Sequence, residues 1–207
     1  MGLDMYLNRM KKVEGLTLKQ ILIIDKYLSW RDDETARKYT LKEWYGINQK
    51  DLPPKALVKH YEQNCQGAPS EDVGYWRKAN QIHNWFVENV QDGEDDCGCY
   101  EVSQEQLEGL LETCKLIKNK CKLIKGKVKA SEYFQDGKWV TEYKDGQVLE
   151  NYEIAAEYLP TRAGFFFGDT DYDEWYMQDI DDTIQIIEKV LEETDFETQM
   201  IVYSSSW

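Results

Sequence analysis

Between Gly74 and Val90 the chain reads Gly-Tyr-Trp-Arg-Lys-Ala-Asn-Gln-Ile-His-Asn-Trp-Phe-Val-Glu-Asn-Val, and no other stretch limits the fold as tightly. At about 100° per residue, Tyr75, Trp76, Ala79, Ile82, His83, Phe86, Val87 and Val90 share one face, and Arg77, Lys78, Gln81, Asn84 and Glu88 the other. The spacing predicts an amphipathic helix with a wide buried stripe. His83 lies inside that stripe, and Asn80 lies at its edge, one turn from both Trp76 and His83. A buried imidazole or amide without partners costs about 1–3 kcal/mol. Polar groups from elsewhere in the chain must therefore meet this helix.

Such a helix needs a core to pack on. The 207 residues are 42% hydrophobic and 13% aromatic, enough for one domain spanning residues 1–207, with 10–70 and 130–150 read as elaborations. A charged fraction of 31% fits an ordered, water-soluble chain. The net charge of −14 repels phosphate backbones and anionic membranes, so neither nucleic acid nor a membrane is an expected partner. An acidic surface does suit a basic protein. No apolar run approaches the ~20 residues that span a bilayer. Cys65, Cys97, Cys99, Cys114 and Cys121 make an odd set with no signal peptide before them, which predicts reduced thiols and a cytoplasmic location. Cys97-Gly-Cys99 is spaced by one residue rather than two and has no second Cys/His pair nearby, so neither a metal nor another cofactor is expected. Met1-Gly2 opens like a myristoylation signal, but Tyr6 stands where Ser or Thr is required.

The elements alternate. Leu3, Met5 and Leu7 against Asp4, Tyr6 and Asn8 predict a strand over 2–8. Thr17-Leu-Lys-Gln20 has the form of a capping box before a helix. Thr40-Leu-Lys-Glu43 repeats that form before Trp44-Tyr45-Gly46, and Pro53-Pro54 suits the start of a helix reaching about Asn64. Gln91 to Asp96 reads as a solvated acidic turn, because its carboxylate spacing does not match an EF-hand. Ser103-Gln-Glu-Gln106 caps a long helix whose stripe runs from Leu107 through Ile124, with lysines from Lys115 to Lys129 at the end the helix dipole favours. Asp136-Gly137 and Asp145-Gly146 are turn signals of a β meander. Phe165-Phe-Phe167, bounded by Gly164 and Gly168, reads as a short buried strand. A helix follows Asp169–Asp173, and Gln199–Tyr203 is a last strand. The predicted fold is α+β: a small antiparallel sheet holding both terminal strands, packed by several amphipathic helices, with an inserted meander. The strands at 2–8 and 199–203 are expected to pair beside Phe165–Phe167.

Gly2-Leu-Asp-Met-Tyr-Leu7, Tyr75-Trp-Arg-Lys-Ala-Asn-Gln-Ile-His83 with Trp85-Phe86, Asp95-Asp-Cys97, Leu159-Pro-Thr161, Gly164-Phe-Phe-Phe-Gly168, Tyr172-Asp173 and Ser205-Ser-Trp207 together resemble a family of proteins carried by phages and prophages. The resemblance implies a setting, a virus in a bacterial cytoplasm, and brings no established activity with it.

No catalytic motif stands out. There is no Gly-x-Ser-x-Gly, no His-Glu-x-x-His and no phosphate loop, and His60 and His83 are the only histidines. An enzyme acting on a nucleotide is thus a lesser reading. A binding module fits better: Tyr75, Trp76 and Phe166 offer stacking faces, Arg77, Asn80 and His83 offer hydrogen bonds, and Thr161 with Arg162 offers an anion clamp. The function expected is sequestration of a nucleotide-derived immune signal of the host, an anti-defence role that the phage setting suggests by analogy. A protein–protein inhibitor of a basic host protein and a homo-oligomer stay open as partner readings.

Overall fold

A computed structural model describes residues 2–31, 55–64 and 70–207. The order is β1 (Asp4–Lys11), α1 (Leu18–Arg31), α2 (Lys55–Asn64), β2 (Glu71–Arg77), α3 (Asn80–Val90), β3 (Cys99–Val102), α4 (Gln104–Lys120), β4 (Lys122–Gln135), β5 (Lys138–Glu150), α5 (Tyr152–Tyr158), α6 (Glu174–Glu193) and β6 (Gln199–Ser206). The fold is α+β. An antiparallel sheet ordered β2-β1-β6-β3 contains both terminal strands, and β4 with β5 forms a separate two-stranded sheet. Beside β1, the Leu3 amide donates to the Phe166 carbonyl at 3.1 Å, so the Phe165–Phe167 segment does lie next to the terminal strands. Among the described residues no helix is long and apolar enough to cross a membrane.

The chain forms two compact units. One comprises Met1–Asn8, Asp72–Thr194 and Ile201–Trp207. Leu3, Met5 and Leu7 leave one face of β1 into its core, which also buries Ile82, Phe86, Leu107, Leu110, Ile180, Ile187 and Tyr203. Phe86 and Tyr203 stack at 4.0 Å. Ser103 and Gln106 close the predicted capping box of α4. Lys115 and Lys118 of α4 pair with Glu188 and Asp181 of α6, both at 2.6 Å. The other unit, Arg9–Glu71 and Asp195–Met200, buries Leu18, Ile21, Ile24 and Tyr61. The Thr17–Gln20 box caps α1 reciprocally, and Tyr61 donates to Asp25 at 2.6 Å.

Four local expectations change. Residues 75–79 are not the first turn of the long helix: β2 runs to Arg77 and α3 starts at Asn80. The aromatic pair fits both periods, but in β2 Trp76 points inward while Tyr75 and Arg77 are exposed. Tertiary packing decides it, since a Cβ on Gly74 would stand 2.7 Å from Ile186 and 3.3 Å from Leu7. Helix α4 ends at Lys120, and the lysine-rich continuation is β4. There Gly126 faces Gly146, and the vacant Cβ positions are filled by Val148 and Val128. Asp145-Gly146 is therefore strand interior, and Asp136-Gly137 alone turns the hairpin, both residues with positive φ. The Thr161–Gly168 segment is a loop with a turn at Phe165-Phe166, not a strand. Phe167 is buried, while Phe165 is 95% exposed. The stretch 32–54, with its capping pattern, Trp44-Tyr45-Gly46 and Pro53-Pro54, and Cys65 lie outside the described residues.

Candidate functional site

Where β2 ends, the backbone makes a left-handed step at Lys78, φ 64°, and α3 begins. Asn80, at the first position of the helix, spends its whole side chain on the 161–169 loop. Its Oδ1 accepts from the Arg162 amide at 2.8 Å, and its Nδ2 donates to the carbonyls of Phe167 at 3.2 Å and Asp169 at 2.7 Å. This answers the buried amide that the sequence left unpaired. The returning loop passes so close to Lys78 that a Cβ on Gly168 would lie 3.1 Å from the Lys78 Cβ, and Gly168 itself sits at φ 93°. Both facts call for glycine. Thr161 fixes the other end of the loop, donating to the Thr170 carbonyl at 3.1 Å. Asp173 then caps α6 by accepting from the amides of Trp175 and Tyr176.

Between the starts of α3 and α6 and this loop lies a cleft of about 440 Å³. Its lining carries two cations, Arg77 and Lys78, four aspartates, Asp169, Asp171, Asp173 and Asp179, and the rings of Trp175 and Tyr176, along with Asn80, Gln81, Thr161 and Gly168. The Trp175 indole is 70% exposed. The cleft thus holds charges of both signs. The crowding of acids shows in their protonation. Burial, with Asp169 and Asp173 beside it, raises the Asp171 pKa above the usual carboxylate range. Burial pushes Asp179 up to about 6, against the bond it accepts from Gln81 at 2.9 Å. Among the described residues no three His, Cys, Asp or Glu side chains are placed to share a metal ion.

An acid held partly ionised at a costly place is removable. Asp179→Asn keeps an acceptor for Gln81 and deletes the charge. In the unfolded chain Asp179 ionises near 3.8 and in the fold near 6, so the folded state is penalised as pH rises from 3.8 through 6. The substitution should stabilise the protein by about 1–2 kcal/mol at pH 7, after allowance for partial exposure, and by nothing below pH 4. Urea unfolding at the two pH values measures this, and equal midpoints at pH 7 would refute it.

Beside the loop that Asn80 holds sits a polar cluster with a buried centre. His83 is 0% exposed. Burial, aided by the Arg162 cation and opposed by Asp95, lowers its pKa, so the ring is neutral. A carboxylate cannot donate, which assigns the tautomer: Nε2–H donates to Asp95 at 3.1 Å and Nδ1 accepts the Tyr203 hydroxyl at 2.7 Å. Asp95 also accepts from the Trp207 indole at 3.1 Å and lies 3.5 Å from the Arg162 guanidinium. The Tyr203–His83–Asp95 line has the connectivity of a proton relay, but both Tyr203 and His83 are sealed in the core. It ties the terminal strand, the acidic turn and the Phe loop together.

The residues singled out by sequence therefore separate. Arg77, Asn80 and Thr161 line the cleft. Trp76 is buried and donates to Thr183 at 2.9 Å. Tyr75 lies on the exposed face of β2 and donates to Asp4. His83 and Arg162 belong to the polar cluster, with Arg162 near the Phe167 ring. Phe166 is half-buried against Phe165, and its carbonyl holds β1. Sequence reasoning missed Trp175 and the role of Asp95. Trp175 carried a usable signal, a tryptophan one step off the apolar stripe of α6. Asp95 carried none, being one of four acids in what reads as a turn. Comparison with protein-family models, curated proteins and solved structures finds no match to this chain.

Proposed function

We propose that the cleft binds a nucleotide-derived small molecule and that the protein sequesters this ligand rather than transforming it. The observation that supports this is the mixed lining of the cleft. Arg77 and Lys78 line it together with aspartates that do not converge on an ion and an exposed indole. A phosphate suits the two cations, ribose hydroxyls and base amino groups suit the carboxylates, and a base suits Trp175. The resemblance to phage proteins supplies the setting, in which capture of a host immune signal needs a pocket and no catalytic group. Calorimetry with a panel of cyclic dinucleotides and ADP-ribose derivatives tests it. At least one member should bind with Kd below 100 μM and be recovered unchanged. Arg77→Ala should weaken that binding by about tenfold, the lower end for a charge-assisted bond because this side chain is half exposed. Absence of any binding at 100 μM ends the proposal, and consumption of a ligand replaces it with an enzyme.

A second reading rests on Phe165, whose phenyl ring is almost wholly exposed at the tip of the Phe loop. A bare aromatic tip on a chain of net charge −14 suits a basic protein partner with an apolar pocket. Phe165→Ser would abolish capture of such a partner and leave nucleotide binding unchanged.

A further inference from the structure

The ribbon of β4 and β5 takes no part in lining the cleft, yet it carries the densest run of exposed aromatic side chains among the described residues. The register pairs Phe134 with Trp139 and Lys129 with Tyr143. Directly opposed residues, and every second residue along β5, share a face, so Phe134, Trp139 and Tyr143 lie on one side of the ribbon. They are 62%, 69% and 64% exposed, and the first two rings meet edge-on at 5.5 Å. A two-stranded ribbon is marginal in water by itself, and a row of exposed rings marks a surface that is covered in use.

The charges say what covers it. Residues 122–150 hold six lysines and five carboxylates, a net of +1, which leaves −15 on the remainder of the chain. Within the ribbon Lys127 pairs with Asp145 at 2.7 Å and Lys129 with Glu132 at 3.1 Å. We propose that the Phe134–Trp139–Tyr143 face is where two copies of this chain dock, ribbon against ribbon about a twofold axis. Two bodies of net charge −14 repel each other, and the ribbon is the element where that repulsion vanishes. A face of mixed lysine and glutamate with apolar anchors is complementary to itself, as a twofold contact requires. A nucleic acid would instead need a strongly positive face, and on this side Asp145 and Glu132 offset Lys127 and Lys129. Three such side chains from each copy would bury on the order of 600–900 Å², the low end for a specific interface, so the dimer should be weak, in the micromolar range.

Sedimentation velocity on the full chain from 1 to 200 μM tests this at 20 mM and 500 mM salt. Wild type should pass from monomer to dimer with a Kd of about 10–100 μM, several-fold tighter at high salt, because screening removes the repulsion between the acidic bodies. Trp139→Ser should weaken the dimer about tenfold. Phe134→Ser with Trp139→Ser should be monomeric throughout, with unchanged circular dichroism and thermal midpoint at 1 μM. Tyr133→Ser, on the opposite face, should dimerise as wild type does. A wild-type monomer at 200 μM, dimerisation that survives the double substitution, or a monomer that instead binds single-stranded RNA would each overturn the proposal.

Discussion

Asn80→Ala should lower the midpoint of thermal unfolding by roughly 10 °C and remove ligand binding from the cleft together with it. The side chain makes three hydrogen bonds, all to backbone groups of the 161–169 loop, and is itself buried. Alanine leaves one amide and two carbonyls without partners. At about 1 kcal/mol each, with the adjoining cleft admitting water to soften the loss, the cost is about 3 kcal/mol. For a chain of this length that corresponds to roughly 6–12 °C. The binding loss has a separate cause: Thr161, Gly168 and Asp169 line the cleft and belong to the loop whose backbone this residue holds at three points. Asn80→Asp discriminates further. It keeps the acceptor for the Arg162 amide but sets a carboxylate against two carbonyl oxygens, so it should be at least as destabilising as alanine despite its shape. A midpoint shift below 2 °C for either variant would show that the loop is held by something else.

What the sequence could disclose divides along physical lines. Local patterns were readable where one interaction dominates: the capping boxes at Thr17 and Ser103 formed as their spacing implies, and the alternation of Leu3, Met5 and Leu7 put those three side chains in the core. The Gly74–Arg77 stretch was not readable. Its aromatic pair satisfies a 3.6-residue and a 2-residue period equally, and what accompanies the strand lies far along the chain: pairing with β1 and the approach of Ile186, more than a hundred residues away. The same holds for Lys122–Lys129, where a glycine pair across two strands overrides helical spacing. At the candidate site, the sequence pointed to the start of α3 and the Phe loop because both carry polar groups in apolar runs. It could not tell which cation faces the cleft, because Arg77 and Arg162 differ only in where a long-range fold sends them. Arg162 goes to Asp95, a contact across 67 positions that no periodicity encodes.

His83 and Asp179 pull the acid stability of this protein in opposite directions, and their separation is the sharpest test of the buried cluster. His83 is neutral in the fold because burial lowers its pKa, while in the unfolded chain it gains a proton near 6.5. Below pH 6.5 the unfolded state therefore binds more protons. Stability is intact above pH 6.5 and falls with pH below it, by at most about 1.4 kcal/mol per pH unit from this group. Asp179, raised to about 6 by burial, takes its proton in the fold before the unfolded chain does, so its contribution rises as pH falls from 6 to 3.8. In wild type the two oppose each other over that interval. Asp179→Asn should unmask the histidine: its unfolding free energy should drop as pH falls below 6.5, whereas that of wild type drops less over the same range. Adding His83→Gln lowers stability at every pH through lost hydrogen bonds to Tyr203 and Asp95, but its readout is the slope, which should flatten. The offset reports packing, and the difference in slope reports the proton that His83 takes on unfolding. Parallel pH profiles for Asp179→Asn and for the double variant would mean that His83 is already charged in the fold, and the tautomer assigned to the Tyr203–His83–Asp95 line would fall with it.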